Sequence, residues 1–185
     1  MTAMSKPVSG ALALAAAVAA FGWSAPAAQA QAADEAPRAT ATLLGTDGAE
    51  IGTVDAVGAT EGVILSVTVE GLTPGVHGMH LHATGACETP DFTSAGGHIT
   101  GGADAHGLKN PEGPHAGDLG NLMVGAGGVA QVELHAAMVT IADGPTALLD
   151  DDGSALVIHE GPDDHVSQPI GGSGARVACG VFRAD

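Results

Sequence analysis

The apolar residues of this chain occur in short segments separated by Gly, Pro and Asp, and none of these segments has the length and period of a long helix. In residues 62–70, Leu65, Val67 and Val69 alternate with Ser66, Thr68 and Glu70, as in a strand with one buried face. Similar segments recur along the chain at 40–44, 50–57, 76–81, 121–124, 129–134, 138–141, 155–159 and 176–182. About eight strands with turns between them predict an all-β antiparallel sandwich or barrel.

Two segments do not fit this strand pattern. Residues 84–120 and 161–174 are rich in Gly, Pro, His and Asp and show no period. Connections of that length are uncommon in a small domain and are usually functional or disordered. We therefore expect one domain that carries two long functional loops.

The N-terminal residues are typical of a secretory signal peptide. Lys6 precedes the apolar run 11–21, and residues 28–30 offer small side chains at a cleavage site. This predicts a signal peptide over residues 1–30 and a domain over 31–185, exported to the periplasm or secreted. An N-terminal membrane anchor is the alternative, although a span needs roughly 20 apolar residues.

The predicted mature chain is strongly acidic. All 21 Asp and Glu residues follow residue 30, where only Arg38, Lys109, Arg176 and Arg183 are basic. Such a chain repels nucleic acid and anionic lipid, which excludes both as expected partners. After signal cleavage we expect no membrane association.

Cys87 and Cys179 are the only cysteines. In an oxidising compartment two cysteines predict one disulfide, and two unpaired buried thiols are the alternative.

Seven residues of ligand type predict a metal site. His80 and His82 lie two apart at the end of a predicted strand, so both imidazoles face the same way. Three imidazoles and one carboxylate satisfy a tetrahedral zinc ion. The remaining candidates are His98, His106, His115, Asp118 and His159. Among the other histidines, we expect His77 to be structural and His135 and His165 to face solvent.

Four segments resemble the motifs of copper–zinc superoxide dismutases, and the similarity extends from about residue 40 to residue 182. It is greatest to the exported bacterial branch. The resemblance implies a Greek-key, eight-stranded antiparallel β-barrel. The segments are GVHGMHLH at 75–82, SAGGH at 94–98, HAGDL at 115–119 and GARVACG at 174–180.

The resemblance also implies a role for each candidate residue. His98 would bridge the two ions, Asp163 would hydrogen-bond His80 and His106, and Arg176 would guide the anionic substrate. The implied copper ligands are His80, His82, His98 and His159, and the implied zinc ligands are His98, His106, His115 and Asp118. The chain departs from the family pattern at Ala83 and at Ile99-Thr100-Gly101, beside the ligands.

The implied reaction is dismutation of superoxide to molecular oxygen and hydrogen peroxide, with copper cycling between Cu(II) and Cu(I) while His98 delivers a proton. Zinc would be the structural and electrostatic partner. Lys109 would add to the attractive field or have no role. Family members occur as monomers and as dimers, so a homodimer is one of two expected states. The alternatives are a periplasmic copper or zinc binding or delivery protein and a metal-free assembly module.

Overall fold

Short apolar segments become antiparallel strands in the computed structural model, which describes residues 1–2 and 36–185. Apart from Met1 and Thr2, the predicted signal peptide lies outside the described residues, and residues 36–185 belong to one compact unit. The strands are β1 (Arg38–Gly45), β2 (Glu50–Gly58), β3 (Val63–Val69), β4 (Gly75–His77), β5 (Met79–His82), β6 (Leu122–Val124), β7 (Ala130–Ala136), β8 (Ala155–His159), β9 (Arg176–Val181) and β10 (Arg183–Ala184).

The order of the strands in the main sheet differs from their order along the chain. The main sheet runs β5-β8-β9-β1-β2-β3-β7, with β10 on β1, while β4 pairs with β6. The hairpin bond from Gly125 N–H to the Val129 carbonyl leads β6 into β7. Because β3 neighbours β7 and not β4, the chain crosses over between them, as a Greek key requires. The all-β prediction is confirmed.

The interior follows the alternation seen in the sequence. Leu65, Val67 and Val69 are fully buried, and Leu65 lies opposite Leu134 of β7. A second cluster surrounds Cys179 and includes Phe92. The predicted disulfide is present and joins Cys87 to Cys179 on β9.

Two strand predictions need correction. Residues 138–141 form no strand and make one isolated bridge, Thr140 to Ala147, although Val139 and Ile141 are buried. The segment predicted at 76–81 is two strands, because at Gly78 the chain stops pairing with β6 and begins to pair with β8. The main sheet has the expected eight strands, and β4 and β6 form a separate two-stranded sheet.

The two predicted long loops are irregular apart from one 3-10 turn, Thr93–Ala95. In the part of the chain that the structure describes, no helix is long and apolar enough to cross a membrane.

Candidate metal centre

Strand β5 organises the candidate ligands. His80 and His82 are both fully buried, and two stretches of the first long loop pair with the same strand. Leu81 accepts a hydrogen bond from Ile99 N–H (2.9 Å) and donates one to the Gly117 carbonyl (2.8 Å). Backbone bonds to a single residue therefore place His98 beside His82 and Asp118 beside His80.

Five buried imidazole nitrogens have no hydrogen-bond partner among the described residues: one is His165 Nδ1, and the other four belong to candidate ligands. These four are His80 Nδ1, His82 Nε2, His98 Nε2 and His159 Nε2. A buried nitrogen without a partner is costly, so each one calls for an explanation.

The second nitrogen of three of these rings is held in place. His82 Nδ1 lies 2.9 Å from the Gly96 carbonyl oxygen, and His159 Nδ1 lies 3.1 Å from that of Gly174. His80 Nε2 lies 2.8 Å from Asp163 Oδ2. Because each held nitrogen donates, the other keeps a free lone pair. His80, His82 and His159 form a cluster whose ligand atoms lie within 4.8 Å of one another.

A second group of nitrogens converges on Asp118. Its Oδ1 lies 2.9 Å from His98 Nδ1, 2.8 Å from His106 Nδ1 and 3.9 Å from His115 Nδ1. Four ligands around one tetrahedral zinc ion, with bonds of about 2.0 Å, are about 3.3 Å apart. The observed separations bracket that value.

The membership of this second group differs from the prediction in one respect. The atoms that lie within 4.8 Å of one another come from His80, His98, His106 and Asp118, without His115. His80 has only one free nitrogen and cannot serve two ions, whereas His115 Nδ1 lies 3.4 Å from His98 Nδ1. His115 is therefore the better fourth ligand.

Asp163 links the two groups. Its Oδ2 accepts from His80 Nε2 and its Oδ1 from His106 Nε2 (3.1 Å). Asn121 in turn holds the backbone of Asp163. The Asn121 Oδ1 accepts from the Asp163 N–H (2.8 Å), and the Asn121 Nδ2 donates to the Asp163 carbonyl (2.9 Å). Sequence reasoning missed Asn121, because an amide partner leaves no spacing signal.

Burial favours the neutral form of three candidate ligands, His80, His82 and His159. Burial lowers the pKa of His82 to about 2 and that of His159 to about 4, and it also lowers the pKa of His80. Burial alone raises the pKa of Asp118 and of Asp163, but the hydrogen bonds they accept outweigh it and lower both. Neutral imidazoles and ionised carboxylates are the forms that bind metal.

A family model described as copper/zinc superoxide dismutase matches residues 50–182. The chain belongs to the copper/zinc superoxide dismutase family.

Relatives of this family cover most of the chain. A Cu-Zn superoxide dismutase of Caulobacter vibrioides is 49% identical over 148 residues, 78% of this chain and 85% of the relative. One from Aquifex aeolicus is 41% identical over 148 residues, 79% of this chain and 86% of the relative. The chain is accordingly an enzyme that converts superoxide into molecular oxygen and hydrogen peroxide, with copper and zinc as cofactors.

Solved structures of this family share the fold. The Cu/Zn superoxide dismutase from Brucella abortus has a TM-score of 0.65 at 31% identity, over 79% of this chain and 99% of that one. A SOD-like protein from Bacillus subtilis has a TM-score of 0.74 at 38% identity, over 77% and 96%.

The two metals of a copper/zinc superoxide dismutase fit the two groups of donors. The three convergent imidazoles and one carboxylate suit zinc, and the four partnerless imidazole nitrogens of the candidate ligands suit copper, which takes imidazole ligands readily. His98 belongs to both sets, with Nδ1 toward Asp118 and Nε2 without a partner.

Arg176 lies with His159 on the wall of a surface cleft of about 480 Å³. Its guanidinium donates to the carbonyl oxygens of Phe92 and Gly96, both at 2.7 Å. Asp91 lines the same cleft, and its carboxylate accepts from Thr93 N–H (3.1 Å) and Oγ1 (2.9 Å). The cleft therefore contains one cation and one anion beside a candidate copper ligand.

The departures from the family pattern leave the ligands in place. Ile99 is buried, and its carbonyl accepts from Gly117 N–H at 2.8 Å. Ala83 is exposed, and it lines a cleft together with Ile99 and His98.

Two of the three predictions for the remaining histidines are confirmed. His77 is buried, with its ring nitrogens 2.6 Å from the His159 carbonyl oxygen and 2.8 Å from that of Thr73. His135 is exposed. The prediction for His165 is wrong: it is only 8% exposed and lies against Asp163.

Proposed function

We propose that the two donor groups divide the metals of this superoxide dismutase between them. His98 lies between the two sets, and Asp163 orients His80 and His106. The copper set is His80, His82, His98 and His159, and the zinc set is His98, His106, His115 and Asp118. The observation that carries this assignment is that each member of the copper set has one buried nitrogen without a partner among the described residues.

Copper supplies the one-electron oxidation and reduction of superoxide when bound, and zinc has no second oxidation state to contribute. The chain supplies the proton and the orientation. His98 Nε2 is buried and free of protein hydrogen bonds, so it can carry one of the two protons that the reduced substrate needs to leave as hydrogen peroxide, and solvent supplies the second. The carbonyls of Gly96 and Gly174 keep the His82 and His159 rings in the tautomer that leaves Nε2 free.

Arg176 attracts the anionic substrate to the cleft. A chain of formal net charge −16 repels superoxide at long range, so the attraction has to be local. The guanidinium is held by two carbonyls on the wall that His159 shares, and although burial lowers the pKa of Arg176, an arginine side chain stays protonated at physiological pH.

The test is superoxide dismutation by the metal-loaded protein, measured alongside metal content. Wild type is expected to bind both metals and to dismutate superoxide. The variant His159→Ala is expected to lose copper and activity while keeping zinc, because His159 is absent from the zinc set. His135→Ala is the matched control, since His135 is exposed, its ring hydrogen-bonds the Glu61 carbonyl, and it belongs to neither donor group. A loaded wild type without activity would favour a copper or zinc binding or delivery protein.

The proposal includes export to the periplasm or beyond, with a signal peptide over residues 1–30. The N-terminal pattern supports it, and so does the disulfide, because such bonds persist in oxidising compartments. N-terminal sequencing of the protein from cell fractions tests it, with cleavage near residue 30 as the expected result.

A homodimer would bury exposed apolar side chains such as Met123 and Val129 of the β6–β7 hairpin. Sedimentation of the mature chain, compared with Met123→Lys, distinguishes a dimer from a monomer.

A further inference from the structure

His165 has a backbone and a side-chain environment that none of the roles described above explains. Its φ of 65° lies in the left-handed region that side chains other than glycine seldom adopt. It is only 8% exposed, and its Nδ1 is buried without a hydrogen-bond partner among the described residues. A non-glycine residue persists in this conformation when its surroundings favour it, and it often marks a functional site.

Asn121 determines which nitrogen of His165 carries the proton. The Asn121 Oδ1 accepts from Asp163 N–H, so its Nδ2 is the donor that lies 3.2 Å from His165 Nε2. Nε2 therefore accepts, and in the neutral ring the proton resides on Nδ1. That N–H lies 3.5 Å from Asp163 Oδ2.

His165 consequently places one N–H group near each oxygen of the Asp163 carboxylate. Its backbone N–H donates to Oδ1 at 2.6 Å, and its ring N–H faces Oδ2. The 3.5 Å separation exceeds an ordinary hydrogen bond, so the ring acts as an oriented dipole. The backbone bond is made by a residue at positive φ, and the Asn121 amide assigns the ring proton to the nitrogen that faces Oδ2.

We propose that His165 is a positioning residue that sets the rotation of the Asp163 carboxylate, and thereby the orientation of the His80 and His106 rings. The inference rests on the proposed assignment of these two histidines to copper and zinc. One carboxylate spans both rings, so its rotation would displace both ligands, and residues that orient metal ligands govern metal affinity.

Two substitutions separate the ring from the backbone. His165→Gly removes the ring and His165→Asn retains a short polar group, and both residues tolerate a positive φ. The Asn side chain can place its amide N–H where His165 Nδ1 lies. His135→Asn is the control, because His135 is exposed and its ring hydrogen-bonds the Glu61 carbonyl.

The measurement is the zinc dissociation constant by chelator competition, together with the Cu(II) absorption and electron paramagnetic resonance spectra. His165→Gly should weaken zinc binding about tenfold and change the spectra, the lower end of the effect for residues that orient ligands. His165→Asn should lie closer to wild type than His165→Gly does. Unchanged affinity and spectra in His165→Gly overturn the proposal.

The background Asp163→Asn tests whether His165 acts through the carboxylate. In that background His165→Gly should have no further effect on zinc affinity, because coupled residues are not additive. An equal loss in both backgrounds indicates general destabilisation and overturns the proposal. A wild type that binds no zinc would instead contradict the ligand assignment itself.

Discussion

Arg176 and His82 share one hydrogen-bond acceptor, the carbonyl oxygen of Gly96. Arg176 Nη2 lies 2.7 Å from this oxygen and His82 Nδ1 lies 2.9 Å from it. The residue proposed to attract the substrate and a proposed copper ligand are therefore held by the same peptide group. A substitution at Arg176 can act through charge or through this shared carbonyl, and the two effects need separate variants.

Removing the charge of Arg176 should slow the enzyme without removing its metals. For Arg176→Ala we expect a loss in kcat/KM of about tenfold or more, within the range that electrostatic steering covers. Arg176→Lys keeps the charge but cannot reproduce the planar donor pair that contacts Phe92 and Gly96, so it should recover only part of the loss. The measurement is kcat/KM at low and at physiological salt.

Arg183→Ala serves as the control for Arg176, since Arg183 is exposed on β10 and its Nη1 contacts only the Phe182 carbonyl. It should leave kcat/KM unchanged. If Arg176→Ala keeps wild-type kcat/KM at low salt, Arg176 has no steering role. If it loses copper, the shared carbonyl matters more than the charge.

The candidate ligands could be predicted because their chemistry leaves a pattern in the sequence. His80 and His82 are two apart on a strand, which puts both rings on one side whatever the rest of the fold. The alternation of Leu65, Val67 and Val69 likewise determines which face of β3 is buried, and the structure agrees.

The contacts that orient the ligands could not be predicted in the same way. The Gly96 and Gly174 carbonyls belong to the backbone, which every residue possesses. Asn121 and His165 reach Asp163 across 42 and two residues respectively, and neither separation has a period. The strand prediction for residues 138–141 was wrong for another reason. Buried apolar residues in an irregular segment have the same sequence pattern as a short strand.

Gly171 should tolerate no side chain. Its φ is 63°, and a Cβ added there would lie 1.6 Å from Asp163 Oδ1. Gly171→Ala should therefore displace the carboxylate and weaken zinc binding by about 10- to 100-fold, the range for residues that orient metal ligands. Chelator competition measures the loss.

Gly172 provides a matched control for that substitution. Its φ is 67°, but nothing lies within 4 Å of a Cβ added there. Gly172→Ala carries the same backbone strain without the clash, so it should lower the melting temperature and leave zinc affinity unchanged. Equal zinc losses in both variants would assign the effect to strain in the loop.

The disulfide should support both stability and the cleft. Cys87 and Cys179 are 92 residues apart, and closing such a loop stabilises by about 4 to 5 kcal/mol in the chain-entropy model. The bond also ties the segment that carries Phe92 and Gly96 to β9, so its loss should affect the acceptors of Arg176. The double variant Cys87→Ser and Cys179→Ser should melt at a lower temperature and show reduced kcat/KM. A lower melting temperature with unchanged kcat/KM would limit the disulfide to a role in stability.

The metal-free protein should lose stability in acid over two pH intervals. Burial lowers the pKa of His82 to about 2 and that of His159 to about 4, from the ordinary value of 6.5. Below pH 6.5 these two side chains therefore become protonated in the unfolded chain while they remain neutral in the folded chain. Each such proton reduces the free energy of unfolding by up to about 1.4 kcal/mol per pH unit. Below pH 3.8 the carboxyls of Asp118 and Asp163, whose pKa values are lowered in the fold, add to the loss.

Denaturant unfolding of the metal-free protein between pH 8 and pH 4 measures this slope. His82→Gln removes one of the histidines whose pKa burial lowers, a group that also includes His80 and His115, and should therefore reduce the slope between pH 6 and pH 4 without abolishing it. His135→Gln, at an exposed position, should leave it unchanged. With both metals bound, the stability should fall more steeply once protons begin to compete for the ligands, because metal binding requires neutral imidazoles and ionised carboxylates. A metal-free protein of constant stability from pH 7 to pH 4 would mean that these imidazoles are not buried neutral in solution.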